Sequence, residues 1–407
     1  MAQILPEGQP ATPSLGFNGG TPGPVLRRRQ GEVFDIQFQN RIGEGSAVHW
    51  HGVRLTNTMD GVPGLTQEIV EKDGDFHYKF RAPDAGTYWY HSHNRSWEQV
   101  ARGLYGPLIV EESVPPDVDH DFIVMIDDWR VTENGMLADG FDDMHDQAHQ
   151  GRLGNYARAL VDPSKPVQVG DRIRLRLINV ATDRIFPVEI EGVNGKVVAK
   201  DGMPLRTPED ALTIILAPAQ RVDLIADVTT SDQININFPT QDGAYPLGEI
   251  SVTGENTQRK PTEISALPPN DMAHPDMDDA VVQLTLTMEG GAMSRRMMRG
   301  MMSGDVWAFN GKSGLNGKPF HTFERGQTAR IRLVNDTRFP HGIHLHGHHF
   351  YEVESGGGLG DLRDTTLVDA GEARDIICVF DNPGKWLLHC HMLGHQAAGM
   401  KTWVEVI

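Results

Sequence analysis

Twelve side chains of this 407-residue chain are of types that bind transition metals and fall into four short runs. These are His49-Trp50-His51, His91-Ser92-His93, His341 with His344 and His346, and His389-Cys390-His391 followed by His395 and Met400. On an extended strand, side chains i and i+2 share a face and i+1 takes the other. His389 and His391 therefore point one way and Cys390 the opposite way, so one strand can serve two metal centres back to back. Cys390, His341 and His395 supply one sulfur and two imidazoles, and Met400 a weak axial thioether, which is the ligation of a blue-copper electron-transfer site. The other eight histidines, His49, His51, His91, His93, His344, His346, His389 and His391, suffice for three further coppers with positions left open for oxygen. One His-x-His pair arises readily as satisfied polar residues on a strand. Four such pairs, one of them split by a cysteine, point to a metal cluster.

The elements that must position these ligands show as internal repeats. Gly31, Gly170 and Gly326 each open a strand-like run that ends nine residues later at Asn40, Asn179 and Asn335. Nine residues further on stand His49, Val188 and His344, and two beyond those His51, Ile190 and His346. The middle copy keeps the framework and carries Val188 and Ile190 where the outer copies carry histidine. A second repeat places Gly86 and Gly384 five residues before His91 and His389. Metal therefore belongs between the first and third units, and the chain must fold back so that they meet.

Short runs rich in Val, Ile, Leu, Phe and Thr, bounded by Gly and Pro, predict an all-β chain of β-sandwich units. The length accommodates three units. The expected divisions are residues 1–113 and 281–407 around a copper-free middle unit at 119–262. They are separated by the Val114-Pro115-Pro116-Asp117 turn and by a polar stretch from about Glu255 to Asp279.

On these motifs the chain resembles the multicopper oxidases, the superfamily of laccases and cuprous oxidases, over nearly its whole length. The resemblance implies three cupredoxin-like Greek-key β-barrel domains and four coppers: one type 1, one type 2 and two type 3. His49 and His344 would hold the type 2 copper. His51, His91 and His391 would hold one type 3 copper, and His93, His346 and His389 the other. Cys390, His341, His395 and Met400 would hold the type 1 copper, with Cys390 as the electron wire and the ring edge of His395 facing the substrate. Asp60, in Met59-Asp60-Gly61, corresponds to the family acid that relays protons beside the oxygen cluster, although an Asp before Gly is also an ordinary turn residue. Gln396 departs from the bacterial pattern, which has glutamate directly after the histidine at 395; a glutamine cannot shuttle protons. The implied activity is four one-electron oxidations coupled to reduction of dioxygen to water. Phenols and aromatic amines are the first expected substrates, Cu(I) or another metal ion the alternative, and a copper-free scaffold the third reading.

Residues Met288 to Met302 bear on that choice, because they hold six of the sixteen methionines. A helix after Gly291 would align Met293, Met297 and Met301 in one stripe and Met298 and Met302 in the next. Such a stripe is either a pliable apolar face laid on the third unit or a soft-sulfur site for Cu(I). Family members that handle copper carry a Met-rich insert at this place.

Net charge of -18 argues against a nucleic-acid partner and favours cations near the surface. No apolar run reaches the roughly 20 residues needed to cross a bilayer. The first residues lack a signal-peptide core, so Met1 reads as a start placed on a mature chain. Arg27-Arg28-Arg29 reads as a solvated strand edge. The resemblance implies an exported, periplasmic or secreted protein, and a monomer is expected. With Cys390 a ligand, Cys378 is alone, which precludes an internal disulfide and makes it a small buried hydrophobe. His77, His120, His145, His149, His274 and His321 read as isolated or solvated, and His348 and His349 as residues beside the ligands or at the surface.

Overall fold

The computed structural model describes residues 4–5, 12–161, 167–257, 259, 262–275, 281–292, 294, 305–315 and 317–407. Met293, Met297, Met298, Met301 and Met302 lie outside the described residues. Met288 is inside them, fully buried in the strand Val282–Gly290.

Strands dominate, and the sheets fall into three pairs, as an all-β chain of cupredoxin-like units requires. The first pair is a four-stranded sheet with Val48–His51 as an edge strand beside Gly86–Ser92, faced by the two strands Val33–Gln39 and Asp75–Arg81. Six- and five-stranded sheets form both the middle pair and the last pair. His341–Leu345 and Gly384–Cys390 are neighbours in the last five-stranded sheet.

The repeated glycines and asparagines have one physical task each. Gly31, Gly170 and Gly326 all sit at left-handed backbone angles, φ +79°, +85° and +83°, where a side chain is strained. Each asparagine then ties down the turn that follows its strand. Asn40 Nδ2 donates to the carbonyls of Glu44 and Val70, Asn179 Nδ2 to those of Arg184 and Leu216, and Asn335 Nδ2 to those of Phe339 and Val368. The same amide latch therefore sets the start of the ligand-bearing strand in the outer units and of its copper-free counterpart in the middle one.

Register does the rest. His49 lies opposite His91, and His344 opposite His389, in antiparallel pairs of the first and third units. The intervening side chains turn inward: Trp50 packs on Tyr78, Phe80 and Tyr90, while Cys390 joins the apolar interior with Ile343, Met392 and Met400. One apolar cluster runs through both outer units, and the middle unit has its own. Cys378 is buried in the shared cluster, and burial pushes its thiol up. Arg28 and Arg29 are exposed on the edge strand Leu26–Arg29.

Candidate metal centre

The eight histidines expected to surround three coppers converge on one cavity between the outer units, and all are buried. Ring centroids lie 3.9 Å apart for His49 and His346, 3.8 Å for His51 and His344, 4.9 Å for His51 and His391, and 5.8 Å for His93 and His389. Metal-binding atoms of His93, His346 and His389 fall within 4.8 Å of one another, as do those of His49, His51 and His91.

Hydrogen bonds on the far side of the rings fix which nitrogen faces the cavity. Nδ1 of His49, His91, His344 and His389 donates to the backbone carbonyl of Asp60, Ser92, Asp364 and Cys390 at 2.8 to 2.9 Å. His346 Nδ1 donates to Asp60 Oδ2 at 3.0 Å. His51 is turned the other way: its Nε2 meets Asp364 Oδ1 at 3.2 Å and leaves Nδ1 inside.

The inner nitrogens are then left without partners. His49 Nε2, His51 Nδ1, His91 Nε2, His93 Nε2, His344 Nε2 and both ring nitrogens of His391 are buried and unbonded. Each such atom costs about 1–3 kcal/mol if nothing accepts its lone pair, so their concentration in one cavity fits a metal cluster. His346 Nε2 and His389 Nε2 face each other at 3.1 Å although the opposite nitrogen of each ring already donates. Two facing lone pairs fit a cation held by both rings. Burial holds His51, His91, His93, His346, His389 and His391 well below the usual imidazole range, which keeps them as neutral ligands.

The second set is a triangle in the third unit. His341 Nδ1 lies 3.0 Å from His395 Nδ1 and 3.6 Å from Cys390 Sγ, and His395 Nδ1 lies 3.8 Å from that sulfur. A point equidistant from the three is about 2.0 Å from each, within reach of a metal bond. Both rings are turned by outer hydrogen bonds, His341 Nε2 to Thr337 Oγ1 at 2.9 Å and His395 Nε2 to the His149 carbonyl at 2.7 Å. Burial lowers His395 to about 4 and raises the Cys390 thiol, so a thiolate there needs a metal charge beside it. Met400 is fully buried, and its carbonyl accepts from Cys390 N at 3.0 Å. The donors fit a blue-copper site.

His395 is 0% exposed, and the carbonyl of His149, just after the short helix Met144–Ala148, covers its Nε2. The indole of Trp307 covers the ring face at 4.4 Å.

Asp60 is 1% exposed, with Oδ1 3.3 Å from His49 Nδ1 and Oδ2 on His346. Gly61 makes this possible. At φ +82° its Cα presses on the ligand strand, and an added Cβ would sit 1.8 Å from the Val48 carbonyl. Gln396 is buried in the helix Leu393–Ala397 beside His395. His348 and His349 are both buried rather than at the surface.

Three residues gave no signal in the sequence. Asp364 orients His51 through its carboxylate and His344 through its carbonyl, and Arg221 of the middle unit pairs with it. Asp183 caps the Leu393–Ala397 helix from the middle unit: its Oδ1 accepts from Gly394 N at 3.1 Å and its Oδ2 from Arg152 N at 3.1 Å. Burial raises this carboxyl to about 6. Asp183 also lines a cleft of about 230 Å³ with Leu153, Ile185, Phe339, Pro340 and Met392. A larger cavity of about 500 Å³ in the first unit is lined by Trp50 and Tyr90, on the strand faces opposite the imidazoles, and does not open onto the ligands.

Cupredoxin-like units around an imidazole cluster and a thiolate site define a copper-dependent oxidoreductase that uses dioxygen. The multicopper oxidase family pattern matches residues 1–114, 122–242 and 284–407, and the chain belongs to that family. It is 67% identical to Lac15 from a marine microbial metagenome, whose crystal structure superposes with a TM-score of 0.86 over 100% of this chain and 97% of that one. It is 30% identical to multicopper oxidase MmcO of Mycobacterium tuberculosis, over 98% of this chain and 84% of that protein. Laccase-1 of Botryotinia fuckeliana is 27% identical over 95% of this chain and 77% of its own length.

Proposed function

We propose that this oxidase acts on phenols and aromatic amines, one electron at a time, in the manner of a laccase. The observation that carries the reading is the cleft beside the type 1 ligands. It offers Leu153, Ile185, Phe339, Pro340 and Met392 as apolar walls for an aromatic ring, Gln150 and Arg184 as polar ones, and one buried carboxylate, Asp183, whose backbone partner Gly394 precedes His395. Loss of an electron makes a phenol strongly acidic, and Asp183 is placed to take its proton.

The chain holds four coppers in this reading. Cys390, His341, His395 and Met400 bind type 1, and His49 and His344 type 2. His51, His91 and His391 bind one type 3 copper, and His93, His346 and His389 the other. The unbonded inner nitrogens and the facing Nε2 atoms of His346 and His389 support the cluster. Copper supplies the electron acceptance and the dioxygen chemistry when bound. Cys390 connects the two sites, because its strand neighbours His389 and His391 face the cluster. Asp60 delivers protons there, Asp364 holds His51 and His344 in orientation, and Thr337 and the His149 carbonyl hold the type 1 imidazoles. The units span residues 1–113, 119–262 and 281–407. The protein works as a monomer in the periplasm or outside the cell.

A second reading, oxidation of Cu(I) in copper tolerance, is favoured by similarity to copper resistance protein A of Pseudomonas syringae. Turnover of a substituted phenol and of Cu(I) on fully copper-loaded protein decides between them. Phenol turnover that persists when Met293, Met297, Met298, Met301 and Met302 are all replaced by leucine supports the laccase reading. Negligible phenol turnover beside rapid Cu(I) oxidation overturns it.

A further inference from the structure

We propose that Trp307 sets the reduction potential of the type 1 site, and that the copper-free middle unit holds the indole in place. The proposal rests on the type 1 assignment of Cys390, His341, His395 and Met400 and is independent of the phenol reading. Trp307 touches two ligand rings and no reacting atom, so it is a positioning residue.

Trp307 opens the short strand Trp307–Phe309 and is fully buried. Its ring lies 4.4 Å from that of His395 at 38° and 5.0 Å from that of His341 at 80°, so one indole covers both imidazoles of the site. Its one polar side-chain atom is bonded elsewhere: Nε1 donates to the Gln147 carbonyl at 2.7 Å. Backbone bonds fix the other end. Trp307 N donates to the Ala398 carbonyl at 2.9 Å, and the Trp307 carbonyl accepts from Ser313 Oγ at 2.7 Å. The chain makes room for the ring at Gly291, where φ is +81° and an added Cβ would lie 2.4 Å from the indole. The same apolar cluster holds Trp307, Cys390, Met392, Ala398 and Met400.

Electrostatics gives this cover its consequence. A site of one thiolate, two neutral imidazoles and a thioether carries net positive charge when oxidised and none when reduced, and apolar surroundings disfavour the charged state. An indole over both imidazoles takes the place of water that would solvate that charge. It therefore raises the potential and makes the site a stronger electron acceptor. The middle unit keeps the cover closed through three contacts. Gln147, in the helix Met144–Ala148, receives the indole N–H, and the next carbonyl, of Ala148, accepts from Ala292 N at 2.7 Å beside Gly291. The His149 carbonyl accepts from His395 Nε2 at 2.7 Å. A unit that carries Val188 and Ile190 in place of ligands thus acts on the metal site from outside.

The test equilibrates copper-loaded enzyme, without dioxygen, against a one-electron mediator of known potential and reads the blue absorption, so turnover does not enter. Trp307→Ala lets water reach the imidazoles and should shift the equilibrium about tenfold toward the oxidised state, a potential about 59 mV lower. Trp307→Phe keeps an apolar ring over the site and should stay within about threefold of the wild type. Gly291→Ala displaces the indole without removing it and should shift the equilibrium in the same direction as Trp307→Ala. Should Trp307→Ala fail to fold or to hold type 1 copper, Trp307→Leu and Gly291→Ala decide in its place. An equilibrium within about twofold of the wild type in these variants, or an equal shift in Trp307→Phe and Trp307→Ala, would overturn the proposal. A wild type without blue absorption would instead remove the type 1 assignment, and phenol turnover by the wild type reports separately on the laccase reading.

Discussion

Arg221 closes on Asp364 through two parallel hydrogen bonds, Nη1 to Oδ1 at 2.9 Å and Nη2 to Oδ2 at 2.6 Å, with both residues fully buried. Arg221 belongs to the copper-free middle unit, Asp364 to the third, and the same carboxylate reaches His51 of the first. The guanidinium holds Asp364 well below the usual carboxylate range. Asp60, on the other side of the cluster, has histidines as its ion-pair partners and no Lys or Arg among the described residues. The two buried carboxylates thus stand in different surroundings: Asp364 is an anion held by a guanidinium while it orients ligands, and Asp60 meets the imidazoles of His49 and His346.

Arg221→Met tests the fixed anion. Removing one partner of a buried pair leaves an uncompensated charge at a cost of about 3–5 kcal/mol. Thermal unfolding should show that loss, and copper analysis should show depletion of the cluster while the blue colour remains. Arg221→Met with Asp364→Asn should recover part of the stability but not His51 orientation. Full copper content in the single variant would show that the pair does not support the cluster.

How much of this was legible depends on the range of the interactions. Strand alternation is local, so His-x-His and His389-Cys390-His391 disclose two back-to-back sites before any folding is considered. Gly31 and Asn40, with their counterparts, are legible because a left-handed turn and an amide latch each demand one residue type. Asp364, Arg221 and Asp183 act only once separate units pack together, and nothing in Arg363-Asp364-Thr365 or Ala181-Thr182-Asp183 announces a distant partner. Arg172, Arg174 and Arg176, alternating in the strand Arg172–Asn179, pair with Asp227, Asp223 and Asp121 and point to none of these three. Three buried arginines on one strand face must be neutralised by other elements. The covering of His395 by a backbone carbonyl left no trace in side-chain types.

Asp60→Asn keeps the shape of the site and removes the exchangeable proton. Rapid-mixing experiments should show reoxidation of the reduced enzyme by dioxygen slowed about 100-fold, the scale of general acid catalysis. Reduction of the type 1 site should keep its rate. A defect confined to the reduction half would place Asp60 in the wrong step.

Cys390→Ser should abolish the blue colour and turnover, since a hydroxyl replaces the soft thiolate. The eight imidazoles of the cluster are untouched, so three coppers should remain by metal analysis. Loss of all copper would mean that the two sites assemble only together.

The carboxyl of Asp183 provides a pH test. Burial raises it from 3.8 to about 6, so between those values the folded chain holds a proton that the unfolded chain has released. By linkage, its contribution to stability is fully present below 3.8 and is lost as pH rises through about 6. Asp183→Asn, which still accepts one backbone hydrogen bond, should flatten that part of the stability profile. Activity should respond in the opposite sense, because only the carboxylate can take the phenolic proton. For the wild type, kcat/KM for a phenol should rise with pH through a midpoint near 6. The Asn variant should lack that limb, and its oxidation of Cu(I), which releases no proton, should keep the wild-type profile. A limb that survives in the variant, or that disappears for both substrates, would remove Asp183 from the phenol step and leave it only its cap on the Leu393–Ala397 helix.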